Sequence, residues 1–211
     1  MNFDPTILMI NEIYNLKSIK RQGWLRPGRE LCSDRVESVP DHSWCAAMLA
    51  LLLLPNTSAE YQVMYYENYE IVDYNKDKIV KMLIIHDLAE AHTGDIPKEE
   101  KKEHDIKNEY ERFAFYKQLN LTVGLQSDEL YGLLTEFSMC KTQNSMIAKD
   151  IDQLECYLQL FFYRKELTDI NGVVGWKKIH TNWLINLDIK TSFGKALKDM
   201  IDKYFFANEE K

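Results

Sequence analysis

The stretch KDKIVKMLIIHDLAEAH, residues 76–92, decides how this chain is read. Ile79, Val80, Met82, Leu83, Ile84, Ile85, Leu88, Ala89 and Ala91 leave almost no polar face, the pattern of a helix buried on most sides. Thr93-Gly94 closes it, since glycine commonly ends helices. Inside this apolar wall stand His86, Asp87 and Glu90. An imidazole and a carboxylate among Ile and Leu cost free energy unless they find partners. Glu90 follows His86 by four residues and Asp87 by three, so a regular helix places all three along one edge. From these residues alone, a metal or catalytic centre and a buried hydrogen-bond network are equal alternatives.

Outward from this stretch, helical periodicity dominates and strict two-residue alternation is nearly absent. Residues 4–20 carry Ile7, Ile10, Ile13 and Tyr14 at helical spacing. Gly23 to Pro40 reads as an ordered loop. A helix is expected at 41–54, and residues 55–74 show no clear element. Pro97 opens a charged helix at about 98–119, and further helices are expected at about 126–139, 143–166, 173–186 and 190–207. The longest apolar run, Cys45 to Leu54, holds ten residues and stops at Pro55. That is half of the roughly 20 a membrane span needs, so it reads as a core helix. With no repeat or interdomain linker, the expectation is an all-α, single-domain helical bundle over residues 1–211.

Composition narrows the function. Hydrophobic residues make up 45% and charged residues 28%, as in an ordinary folded domain. A net charge of -7 argues against a nucleic-acid polymer or a membrane surface as partner. Cys32, Cys45, Cys140 and Cys156 form no CxxC pair, and no N-terminal stretch has secretory character, so a reduced, cytoplasmic setting is expected. Phosphate-binding GxxxxGK[ST], GxGxxG and GxSxG motifs are all absent from the sequence.

Other candidate residues lie far from the 76–92 stretch. Ser38-Val39-Pro40-Asp41 has the form of a capping box and places His42 in the first turn of its helix. Lys149-Asp150-Ile151-Asp152 offers two carboxylates. Asp150 lies nearer the centre of the Ile147, Leu154, Leu158 stripe; Asp152 shares a second face with Ala148, Glu155 and Gln159. Periodicity leaves both open. Residues 17–35 hold Lys17, Lys20, Arg21, Arg26, Arg29 and Arg35 against Glu30 and Asp34, a local excess that suits a phosphate monoester. The bland alternative is a solvated surface loop. Trp24 in that loop either packs against a sugar or base or anchors the core. His92, His104 and His180 are expected to be structural or exposed, and Trp176 and Trp183 to serve a core or subunit contact.

The order of His42, the adjacent pair His86-Asp87 and a distant Asp resembles the H…HD…D pattern of HD-domain phosphohydrolases. Four strings are similar to the 5′-deoxynucleotidase branch of that family: Arg21-Gln-Gly-Trp24, Glu37-Ser-Val-Pro-Asp-His42, His86-Asp-Leu-Ala-Glu-Ala-His-Thr-Gly-Asp-Ile-Pro97 and Ile151-Asp-Gln-Leu-Glu-Cys-Tyr-Leu-Gln159. The resemblance implies a bundle of the HD-domain type, with a motif-bearing region at about 16–166 and C-terminal helices at about 167–208. It implies one divalent cation (Mn, Co, Fe, Ni or Zn) on His42, His86, Asp87 and Asp152. It also implies active-site roles for Glu90 and Asp95, and a place for Trp24 beside the substrate. Some bacterial members carry Arg directly before that Trp; Gly23 stands here, which leaves Arg21 and Arg26 as candidates for its role.

The implied reaction is hydrolysis of deoxynucleoside 5′-monophosphates to deoxynucleoside and phosphate. The alternatives are another HD-type nucleotide phosphohydrolase, acting on triphosphates or phosphodiesters, and a non-catalytic nucleotide-binding bundle. Mixed nitrogen and oxygen donors suit a first-row divalent ion. No thiolate is expected near the motif, which disfavours a structural zinc cluster. Glu90 is expected to move a proton, or else to steady a ligand histidine. Asp95 is expected to bind a sugar hydroxyl, or else to cap a helix. The aromatics Tyr65, Tyr66, Phe161, Phe162, Trp176 and Trp183 suggest a homodimer.

Overall fold

The computed structural model describes residues 5–25, 31, 33–56, 73–97, 126–164, 167 and 175–207. The expected helix at 98–119, Arg26, His104, residues 57–72 with Tyr65 and Tyr66, and the side chains of Trp176 and Trp183 lie outside the described residues. Among the described residues eight α-helices follow in order: α1 (Pro5–Asn15), α2 (Val39–Leu53), α3 (Lys76–Ile85), α4 (Glu90–Thr93), α5 (Gln126–Met139), α6 (Gln143–Tyr163), α7 (Gly175–Asn186) and α8 (Ser192–Ile201). A π-helical turn, Asp202–Phe206, extends α8. Among the described residues there is no strand, and the all-α expectation holds. An isolated antiparallel bridge joins Lys20 to Ser38. Among the described residues, no helix is long and apolar enough to cross a membrane.

α6 is the axis. Ile147, Ala148, Ile151, Leu154, Tyr157 and Leu160 are fully buried, and α2, α3, α5, α7 and α8 all lean on it. A helix surrounded in this way buries two faces, so its apolar stripe alone does not tell which of its acids is functional. α2 starts at the capping box. Ser38 Oγ accepts from the Asp41 backbone N–H, and Asp41 Oδ2 accepts from the Ser38 N–H at 2.8 Å. Its buried edge is Val39, His42, Ser43, Ala46, Ala47 and Ala50. These small residues let α2 approach α3 and α6 closely and bring His42 under the α6 axis.

α3 differs from the expectation in two ways. It is amphipathic rather than apolar all round: Ile79, Met82 and Leu83 are buried and Ile84 is exposed. It also ends at Ile85 instead of running to residue 92. From there the chain tightens. The N–H groups of Leu88, Glu90, Ala91 and His92 donate to carbonyls three residues back, 3-10 bonding that carries into α4 until Thr93 and Gly94 donate four residues back. The buried edge of α3 nevertheless continues through this turn into His86, Ala89 and Glu90. α1 also departs from its reading. It touches the body through Met9, against Ala89, Leu88 and Leu130, while Ile7, Ile10, Ile13 and Tyr14 face outward.

The two carboxylates that periodicity left open have separate jobs. Asp150 is fully buried; its Oδ2 accepts from Thr191 N–H at 2.8 Å and Thr191 Oγ–H at 2.6 Å, and its Oδ1 accepts from Lys190 N–H at 3.0 Å. It therefore ties the start of α8 to α6. Gly194 sits directly over it, and a Cβ there would come within 2.8 Å of Asp150 Cβ and Cγ. Gly194→Ala should destabilise the fold by about 1–3 kcal/mol through overpacking, read as a lower urea midpoint at unchanged slope. An unchanged midpoint would show that α8 does not need this close approach.

Candidate metal centre

His42 of α2, His86 and Asp87 of the tight turn, and Asp152 of α6 converge. His42 Nε2 lies 3.1 Å from Asp152 Oδ1 and 4.0 Å from Asp87 Oδ2. His86 Nε2 lies 3.2 Å from Asp87 Oδ2 and 3.5 Å from Asp152 Oδ1. Four donors around one first-row ion at roughly 2.1 Å would stand about 3.0 Å apart at right angles and about 4.2 Å apart across it. The four nitrogen–oxygen separations fall within that interval.

The hydrogen bonds around the imidazoles set which nitrogen faces inward. His86 Nδ1–H donates to the Leu83 carbonyl at 2.8 Å, which leaves Nε2 as the atom aimed into the cluster. That Nε2 is buried and makes no hydrogen bond of acceptable geometry, even though two carboxylates stand nearby. A buried nitrogen with oxygens around it and no hydrogen bond is what a cation would satisfy. His42 is fixed from the other side, with Nδ1 2.5 Å from Glu155 Oε2. A carboxylate on the far nitrogen orients a ligand histidine and raises its basicity. The sequence reading assigned Glu155 no role, although it lies in the Asp152–Glu155 string, three residues after Asp152 and on its face. Glu37 was likewise missed; it accepts from Trp24 Nε1–H at 3.0 Å, and burial with the charge of Glu155 raises its pKa to about 7.

Electrostatics show what holds the cluster together without an ion. Burial alone would lower the His86 pKa, yet the Asp87 and Asp152 carboxylates raise it to about 9. For His42, burial and Arg21 lower it, but the Cys156 sulfur and Asp152 carry it well above the ordinary imidazole range. Burial would raise both aspartates. His86 overrides this for Asp87, and Lys149 with the two histidines does so for Asp152, so both stay well below the usual carboxylate range. The metal-free cluster is thus held by protons on the imidazoles that a cation would displace.

The remaining candidates fall at different distances from this centre. Arg21 borders it: Nη1 donates to Asp87 Oδ2 at 3.1 Å and to Asp95 Oδ1 at 3.5 Å. The Lys20–Ser38 bridge places it there, with Arg21 N–H donating to the Glu37 carbonyl at 3.1 Å. Glu90 is buried just after the His86-Asp87 pair, and its charge reaches Arg21. Asp95 accepts from Gln22 N–H at 2.6 Å as well as from Arg21, so both its oxygens engage the loop at 21–22. Trp24 takes the core alternative. It is 3% exposed, its ring meets Tyr163 edge-on at 5.1 Å, and its backbone N–H donates to the Arg21 carbonyl. It anchors the loop and offers no open stacking face.

One expectation is corrected. A thiol does lie near the motif: Cys156 Sγ is 3.7 Å from His42 Nδ1 and 3.5 Å from Arg21 Nη2. His42, Glu155 and Cys156 could also group around an ion. Burial raises the Cys156 pKa, however, and His42 Nδ1 is already committed to Glu155. Among the described residues, His42, His86 and Asp152 bring ligand atoms within 4.8 Å of one another, and Asp87 Oδ2 stands beside both imidazoles. His92 is exposed, and His180 Nε2 meets Tyr157 OH at 2.8 Å in the C-terminal core, away from this site.

A family model for the HD domain matches residues 13–174. The 5′-deoxynucleotidase HDDC2 of Dictyostelium discoideum is 33% identical over 151 residues, covering 72% of this chain and 73% of that protein. The 5′-deoxynucleotidase hdd1 of Schizosaccharomyces pombe is 28% identical over 155 residues, covering 72% of this chain and 68% of that protein. Among solved structures, a conserved hypothetical protein from Pyrococcus furiosus superposes with a TM-score of 0.62 at 28% identity, covering 93% of this chain and 97% of that one.

Two measurements test the centre. A raised imidazole pKa stabilises the metal-free fold fully below the unfolded value of 6.5, and this contribution is lost as pH rises through about 9. The depressed aspartates act oppositely, losing their contribution only as pH falls below the ordinary carboxylate range. The melting temperature of chelated protein should therefore fall between pH 6.5 and 9. The gap to metal-loaded protein should widen over the same interval, because binding must release imidazole protons. A gap independent of pH would remove the histidines from the ligand set. Separately, Glu155→Gln should weaken metal binding by roughly 10–100-fold in a competition titration, with the helical circular dichroism unchanged.

Proposed function

Because the chain belongs to the HD-domain family, we propose that it is a metal-dependent phosphohydrolase cleaving deoxynucleoside 5′-monophosphates to deoxynucleoside and phosphate. The observation that carries this reading is the convergence of His42, His86, Asp87 and Asp152 with Arg21 at their border. The monoester and the deoxy sugar come from the names of the relatives.

His42, His86, Asp87 and Asp152 would hold one divalent ion, drawn from Mn, Co, Fe, Ni or Zn by the character of the donors. When bound, it supplies Lewis acidity toward the phosphoryl group and lowers the pKa of water. The chain's own residues do the rest. Glu90 takes the proton from the attacking water and passes it to O5′ as the P–O5′ bond breaks. Arg21 offers a planar guanidinium with five donors, matched to phosphate oxygens. Asp95 is a positioning residue that holds Arg21 and the Gln22 backbone in place. Arg26 is a second candidate for the phosphate. Cys45, Cys140 and Cys156 are free thiols, which supports a reducing, cytoplasmic setting. The exposed Phe162 and Tyr204 offer apolar surface to a second copy in a homodimer.

Protein stripped with chelator and reloaded with Mn or Co should release phosphate from deoxynucleoside monophosphates faster than from their ribose counterparts. Asp87→Ala should lose at least about 100-fold in kcat/KM, since even groups behind the ligands cost that much at the upper end. Equal rates on ribo- and deoxy-substrates would end the sugar-selective version. Preference for triphosphates or phosphodiesters would move the chain to another branch of the family. Substoichiometric metal and no turnover would leave a nucleotide-binding bundle.

A further inference from the structure

Among the described residues two cations border the carboxylates of the centre, and the reaction above uses the first, Arg21. The other is Lys149, on α6 one turn before Asp152. Its Nζ lies 3.6 Å from Asp152 Oδ2 and 3.7 Å from the centroid of the Phe137 ring. Phe137 in turn packs on His86, with ring centroids 5.0 Å apart. Asp152 thereby divides its oxygens: Oδ1 faces the two imidazoles and Oδ2 faces Lys149.

Exposure of the cluster is lopsided. The side chains of His42 and His86 are 0% and 2% exposed, whereas those of Asp87 and Asp152 are 15% and 19% exposed. An anion therefore reaches the centre from the carboxylate side. Arg21 stands on that side against Asp87, and Lys149, 32% exposed, stands on it against Asp152. Two carboxylates at a mouth would repel a phosphate; a cation beside each one offsets that charge where the phosphate must enter.

A plain salt bridge three residues apart on a helix is the competing account, and such pairs at the surface contribute little. It leaves the placement of Lys149 over Phe137 at the mouth without a purpose. An ammonium carries three N–H donors, and the Asp152 oxygen and the aromatic face use two at most. We propose that Lys149 is a further phosphate-binding residue, taking a non-bridging phosphate oxygen beside Asp152 as Arg21 does beside Asp87.

This inference rests on the phosphohydrolase reading, so its test includes a measurement that needs no turnover. Mn-loaded wild type, Lys149→Met and Lys149→Arg are titrated with inorganic phosphate by calorimetry and assayed on a deoxynucleoside monophosphate. Lys149→Met should weaken phosphate binding and raise KM by about tenfold each, the loss of one charge-assisted hydrogen bond. Metal stoichiometry and melting temperature should not move, and Lys149→Arg should recover part of the phosphate affinity. Unchanged phosphate affinity in Lys149→Met would overturn the proposal, as would loss of bound Mn, which would make Lys149 a support for Asp152 alone. If wild type binds phosphate but turns over no nucleotide, the substrate reading fails while the Lys149 result still stands on the calorimetry.

Discussion

The structure around the centre answers to one constraint: two buried imidazoles and two half-buried carboxylates must meet, nitrogen to oxygen within about 4 Å, without leaving charge uncompensated. No single helix can supply all four. α2 contributes one from its first turn, the segment after α3 contributes an adjacent pair, and α6 contributes the last from its middle. Removing any one leaves the others buried beside unmatched charge. That is why the surrounding elements are so closely tied: the alanine edge of α2, the Asp150 clamp on α8, and the Glu155 contact that fixes the His42 ring.

The loop between α1 and α2 extends the same logic to the border of the centre. It is held at one end by the Lys20–Ser38 bridge and in the middle by Trp24, whose indole N–H reaches Glu37 and whose ring meets Tyr163. Arg21 is thereby presented from backbone that is pinned on both sides. Asp95 closes the arrangement from after α4, taking the Gln22 amide and the Arg21 guanidinium with one carboxylate. Among the described residues, much of what borders the centre is therefore tied to its neighbours.

Much of this was legible in the residues. His86, Asp87 and Glu90 announced a polar cluster because their company was Ile and Leu, and the capping box fixed where His42 begins its helix. The boundaries of α5 and α7 fell close to expectation for the ordinary reason that apolar spacing reports burial. Asp150 against Asp152 was not legible, because a helix packed on two faces rewards both positions; only the resemblance chose. Trp24 was not legible either, since an indole serves a core and a ligand equally well. Glu155 and Cys156 were overlooked because their meaning lies in which ring they meet across 113 and 114 residues of chain, and spacing carries no such information.

The 3-10 bonding after Ile85 has a geometric effect on the polar cluster. At three residues per turn each step rotates the chain by about 120° instead of about 100°. Across such a turn Glu90 swings out of phase with His86 and into phase with Asp87. On that winding the general acid–base candidate would share an azimuth with the carboxylate that Arg21 touches, while His86 Nε2 reaches toward Asp152 of α6. A helical wheel drawn at a constant pitch misassigns these partners, because here the local winding of the backbone decides which side chains are neighbours.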